Sequence, residues 1–151
     1  MPNIVESLKS KNLTLAVIES FTGGGFSNFV TSYPGASQVF KGGLVAYTKE
    51  AKVSVAKIDP ELISRHGMIS KEVTLAMANQ AKRLFKSDIG VGFSGNAGPT
   101  ATENKPVGLV YIAIVYKTQE IVEKIELNLT REEIRKHSIN YTIAKILDII
   151  L

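Results

Sequence analysis

Ser20 follows the apolar run "LTLAVIE" (13–19) and precedes Thr22 and three consecutive glycines, Gly23 to Gly25. A hydroxyl at such a junction has two uses. It can cap the helix that follows, or it can attack an electrophilic carbon while nearby backbone N–H groups hold the oxyanion that forms. On the second reading Ser20 is the nucleophile, and the amides near Thr22, Gly23 and Gly24 are the oxyanion donors. A second run, "DIGVGFSG" (88–95), also ends in a polar loop with glycine, from Ser94 through Gly95 and Gly98 to Pro99. Glycine there lets the backbone come close to a ligand. Neither loop matches the G-x-S-x-G elbow or the G-x-G-x-x-G fingerprint.

A serine nucleophile needs a base. There is no cysteine, which removes disulfides, thiolates and cysteine-held metals together, and only His66 and His137 supply imidazoles. Both fall on expected helices, and nothing in sequence pairs either with a carboxylate, so a Ser-His-Asp triad has no support. The other base available is a lysine. "AYTKEAK" (46–52) offers Tyr47, Lys49 and Lys52 just past a strand. A lysine serves if burial brings its pKa from about 10.4 to about 7–8, at a differential cost of about 4 kcal/mol. Read alone, Lys52 is equally a solvated helix lysine. Glu19 either orients Lys52 or Thr22, or ends its strand in a structural hydrogen bond.

The elements that must hold these groups follow from periodicity and caps. Residues 3–11 read as a short helix, 13–19 as a buried strand, and 24–33 as a helix ending before Pro34 and Gly35. "VFKGGLVAYT" (39–48) mixes strand formers with Gly42 and Gly43, which predicts a bent or bulged strand. Asp59 and Pro60 form an N-cap and first-turn pair opening a helix to about His66. Ser70 caps a stronger helix with Val73, Met77, Ala81 and Leu84 on one face. "VGLVYIAIVY" and "EIVEKIELNL" flank the connection "KTQ" and read as a β-hairpin. Thr130 with Glu133 is a capping box for a final helix. Helices between strands imply parallel pairs, and the hairpin implies an antiparallel part. The expected fold is a three-layer α/β/α sandwich on a mixed parallel/antiparallel sheet, in a single domain over residues 1–151.

Composition bounds the function class. The chain has 151 residues, 44% hydrophobic and 21% charged, with a net charge of +4. That suits one folded domain. No apolar run reaches the roughly 18 residues of a membrane span, and the amphipathic N-terminus lacks a signal-peptide core, so a cytoplasmic location is expected. The 18 Lys and Arg residues are scattered, whereas a nucleic-acid binder gathers them on one face. A small anionic ligand fits better than nucleic acid or membrane.

The set "ESFTGG", "GGLVAYTKEAK", "HGMIS", "SGNAGP", "KPVG" and "REEIR" runs in this order from Glu19 to Arg135. It resembles the CinA C-terminal-domain family, the nicotinamide-nucleotide amidases (NMN deamidases). The resemblance implies a compact α/β/α fold and hydrolysis of the carboxamide of nicotinamide mononucleotide to nicotinate mononucleotide and ammonia, with no cofactor or metal. It carries the catalytic roles to Ser20, Tyr47 and Lys52, with Lys52 taking the proton directly or through Tyr47. It assigns nucleotide binding to the loop from Gly95 to Pro99 and to Arg131 or Arg135. Four departures stand out: Phe21 where the family has cysteine, Asn96 where an apolar residue is common, a loop at 100–104 poorer in glycine, and no Gly-Asp before the arginine. Phe21 is expected to narrow the pocket. A catalytically reduced nucleotide-binding or interaction domain of the same fold is the alternative. Alternation of Val110, Ile112 and Ile114 with Tyr111 and Val115 gives the hairpin more apolar surface than a wet face carries, so a homodimer is expected.

Overall fold

The computed structural model describes residues 3–151. Asn3 opens the first helix, α1 (Ile4–Ser10), by accepting from the Val5 and Glu6 amides. Strand β1 (Leu15–Glu19) is fully buried and leads through the glycine turn into α2 (Gly25–Thr31). A 3-10 turn (Ala36–Gln38) precedes β2 (Phe40–Val45). Three helices follow: α3 (Lys49–Ser54), α4 (Pro60–His66) and α5 (Lys71–Phe85). Strand β3 (Ile89–Gly95) then leads into the hairpin of β4 (Leu109–Tyr116) and β5 (Gln119–Glu126), and α6 (Arg131–Ile149) closes the chain.

The caps read from sequence are in place. Asp59 accepts from the Glu61 amide, Ser70 from Val73, and Thr130 and Glu133 bond each other's backbone as a capping box. Helix α3 is the element that periodicity misses. It has six residues, too few to show an apolar stripe, and its start is marked by Thr48 accepting from the Ala51 amide.

The sheet order is β2-β1-β3-β4-β5. Strand β1 is parallel to both β2 and β3, while β3, β4 and β5 run antiparallel. The expected irregularity in β2 is there: the register shifts between Leu15, which faces Phe40, and Ala16, which faces Gly42. Helices α1, α2 and α6 share one core with Leu15, Val17, Val91 and Phe93. Helices α3 to α5 cover the other face over Ala16 and Ile18. This is the expected three-layer sandwich.

Two consequences follow for the sequence reading. Of the hairpin residues that suggested a homodimer, Val110, Ile112, Ile114 and Val115 are buried by the chain's own helices, and Tyr111 is half-buried. Leu84 lies outside the α5 stripe and is 38% exposed. Helix α5 packs so closely on β3 that a Cβ at Gly90 would collide with the Ala78 carbonyl, and one at Gly92 would meet Thr74 O at 2.5 Å. Backbone cannot step aside as a side chain can. Gly90→Ala is expected to cost about 3 kcal/mol, the upper range for overpacking, and to lower Tm by roughly 10 °C in a scanning-calorimetry trace.

Candidate active site

Three parallel strands end at one edge of the sheet, and each delivers part of the site. This is where open α/β sheets gather ligands. Ser20 follows β1. The turn after it is self-contained: Gly23 N donates to Ser20 O at 2.9 Å and Gly25 N to Thr22 O at 2.9 Å. Gly23 and Gly24 hold it with φ of 59° and 94°, a region that L side chains enter only with strain. Glu19 is wholly buried and fastens the turn from beneath. Its carboxylate accepts from Phe26 N (2.9 Å), Ser27 N (3.0 Å) and Ser27 Oγ (2.7 Å). Of its two expected roles, Glu19 has the structural one.

Lys52 comes from α3, after β2. Its Nζ lies 2.9 Å from Ser20 Oγ and 2.7 Å from the Ala46 carbonyl. The residue is 1% exposed, so it is not the solvated helix lysine that its segment alone allows. Burial lowers its pKa from 10.5 to about 8, with the Glu103 charge acting in the opposite direction. A neutral amine here gives one N–H to Ala46 O and keeps its lone pair for the serine proton.

Tyr47 does not lie between the two. It is 54% exposed, and its hydroxyl accepts from Arg131 Nη2 at 2.9 Å. Arg131 Nη1 donates to Gly98 O at 2.6 Å. One guanidinium thus ties the β2 and β3 loops together. Arg135 goes elsewhere: its Nη2 donates to Thr22 O at 3.0 Å and braces the Ser20 turn.

The cavity over these groups measures about 410 Å³, within the usual range of about 300–1,000 Å³ for ligand sites. Ser20, Lys52, Tyr47, Ser94, Gly95, Gly98 and Arg131 line it. Thr22, Gly23, Gly24 and Arg135 are not among its lining residues. The amide of Gly23 is already spent on Ser20 O, which removes it as an oxyanion donor. Phe21, next to the nucleophile, is on the cavity wall. In the second loop Asn96 N donates to Leu109 O and Gly98 N to Asn96 Oδ1. Those two amides hold the loop and are not free for a phosphate. The Phe21 ring packs edge-on against Phe93, with centroids 6.2 Å apart, and is 4% exposed. Its bulk goes into the core, and the pocket stays open.

Sequence reasoning missed one wall. Glu103 accepts from Met68 N (2.9 Å) and Ile69 N (3.0 Å), and Lys105 donates to the His66 and Ile69 carbonyls. The pair clamps the loop between β3 and β4 onto the α4–α5 connection, beside the cavity. Burial alone raises the Glu103 pKa, but the two amides and the Lys105 ammonium outweigh it and hold the carboxyl below its ordinary value of 4.5. Its contribution to stability is therefore full above that value and is lost as pH falls through the lowered one. Glu103→Gln is expected to flatten the acid limb of the Tm–pH curve.

A buried amine against a strand-end hydroxyl, over an open cavity, defines the class: an α/β/α domain with a serine–lysine pair. The chain belongs to the CinA C-terminal domain family, whose model matches residues 1–150. A competence-damage inducible protein of Bacillus cereus is 42% identical over 138 residues, 91% of this chain and 34% of that protein. One from Bacillus mycoides is 41% identical over the same length. The chain thus spans about a third of the length of these relatives. Among solved structures, a CinA superfamily protein from Klebsiella pneumoniae 700603 superposes with a TM-score of 0.94 at 21% identity, covering 98% of this chain and 93% of that one. The competence/damage inducible protein CihA from Agrobacterium tumefaciens gives 0.89 at 26% identity, covering 98% and 96%. No helix among the described residues is long and apolar enough to cross a membrane.

Proposed function

We propose that this domain hydrolyses the carboxamide of nicotinamide mononucleotide, giving nicotinate mononucleotide and ammonia. The observation that carries the reading is the 2.9 Å contact between Ser20 Oγ and a Lys52 amine whose pKa burial brings to about 8. General bases work best with a pKa near the operating pH. Neutral Lys52 takes the Ser20 proton as Oγ attacks the carboxamide carbon. The oxyanion rests on the Phe21 amide. Lys52, now an ammonium, returns its proton to the nitrogen as the C–N bond breaks, and ammonia leaves. Water then attacks the acyl–serine ester with Lys52 again the base. Transfer is direct, and Tyr47 works with Arg131 at the rim, where the guanidinium offers the substrate phosphate its remaining N–H groups. Arg131 is preferred to Arg135 because it lines the cavity.

The test is ammonia release from nicotinamide mononucleotide by purified protein, with nicotinate mononucleotide formed in equal amount. Nicotinamide riboside, which lacks the phosphate, is expected to be cut at least about tenfold less efficiently, the worth of one charged hydrogen bond. No ammonia from the mononucleotide would overturn the reading. Equal hydrolysis of the two would remove the phosphate contact.

A further inference from the structure

Ser94 lies near the end of β3, lines the cavity and is 1% exposed. The last paired position between β1 and β3 is Ile18 against Gly92, so Ser20 and Ser94 stand two residues further along neighbouring strands. Ser94 Oγ lies 2.5 Å from Thr74 Oγ1 on α5. Two oxygens that close need a proton between them. Thr74 Oγ1 also lies 2.6 Å from the Ser70 carbonyl, one turn back in the same helix. A carbonyl has no proton to give, and a threonine hydroxyl has one. The Thr74 proton therefore goes to Ser70, and the proton in the Ser94–Thr74 contact comes from Ser94. Ser94 has then spent its only donor on α5. Toward the cavity it keeps lone pairs alone.

We infer that Ser94 Oγ is an acceptor fixed in polarity by Thr74 and Ser70, and that it selects a carboxamide N–H over a carboxylate oxygen at the reacting carbon. This rests on the amidase reading above. A carboxamide nitrogen brings two N–H donors, and an ionised carboxylate brings none. The amide substrate is held beside Ser20 with its nitrogen toward Ser94. After hydrolysis the product turns an oxygen toward the same lone pairs, with no proton for the contact, and binding weakens. The device gives substrate preference and product release together, without a charged side chain.

The experiment uses Ser20→Ala protein, so that the amide is not consumed. Calorimetric titration gives Kd for nicotinamide mononucleotide and for nicotinate mononucleotide, at a pH where the carboxylate is ionised. Two further variants are made in that background. Ser94→Ala removes the acceptor. Thr74→Val removes the partner of the Ser94 proton and so frees it to donate. The Ser20→Ala protein is expected to prefer the amide by about tenfold or more, one good hydrogen bond's worth of discrimination. Either second change should cut that preference to below about threefold, and Thr74→Val should do so by tightening the acid. A preference unchanged in both variants, or absent at the start, overturns the Ser94 assignment and leaves the amidase reading standing. Failure to bind either nucleotide overturns the substrate reading itself.

Discussion

Lys52→Met is expected to be inactive and, below about pH 8, more stable than the wild type. The two effects have one cause. Burial holds Lys52 at about 8 against an ordinary 10.5. At about 1.4 kcal/mol for each tenfold change, keeping the charged amine in the fold costs about 3 kcal/mol. Methionine removes that cost and fills similar space. It also leaves the Ala46 carbonyl and Ser20 Oγ without their donor, which returns about 1–2 kcal/mol. The net gain at pH 7 is about 1–2 kcal/mol, by difference of these two. The sign sets the pH window. The folded value lies below the unfolded one, so the penalty is full below about pH 8. It fades as pH rises toward 10.5, where the unfolded chain also loses the proton. Urea denaturation at pH 7 and pH 10 reads this directly, and the advantage of Lys52→Met should shrink between them. Wild-type activity should rise with pH up to about 8 and level off. Lys52→Arg keeps the charge and cannot act as a base, so it should lose both activity and stability. An active Lys52→Met protein would end the role given to this amine.

What the sequence made legible was mostly local. Asp59 before Pro60, Ser70, and Thr130 with Glu133 act through backbone amides two or three residues away, and all three caps hold. The buried strands, the irregular β2 and the hairpin show in short runs of residue types. The candidate site was legible as a set of residues and less so as a set of contacts. Ser20 and Lys52 were picked out, and they touch across 32 positions of chain. The short helix that aims Lys52 has no periodic signature. The two arginines, one turn apart on α6, looked alike in sequence, yet Arg131 reaches the cavity rim and Arg135 the back of the Ser20 turn. Which side of a loop a guanidinium meets depends on packing between layers. The same holds for Gly23, whose freedom was readable while the bond that spends its amide was not. The Glu103 clamp joins residues about 35 apart through backbone amides, which leave no mark on residue types.

Ser20→Ala is expected to lower kcat for the amide by at least about a thousandfold, the loss typical of a missing nucleophile, while Tm falls by no more than about 7 °C, since a turn hydroxyl is worth at most about 2 kcal/mol. The structure gives the reason for this separation. The Ser20 side chain bonds Lys52, and the turn is held by other atoms: the Ser20 carbonyl through Gly23, Thr22 O through Gly25 and Arg135, and the Glu19 carboxylate through Phe26 and Ser27. Removing Oγ leaves every one of those bonds. The variant also decides between an enzyme and a domain that only binds. A binding domain has no use for a base beside a hydroxyl, and its ligand affinity should follow Arg131 alone. An amidase needs the pair, so Ser20→Ala should bind the mononucleotide with near-normal Kd and release no ammonia. Residual turnover above a tenth of wild type would mean that water attacks the amide directly with Lys52 as its base, and Ser20 would then be a donor to the base and not the nucleophile.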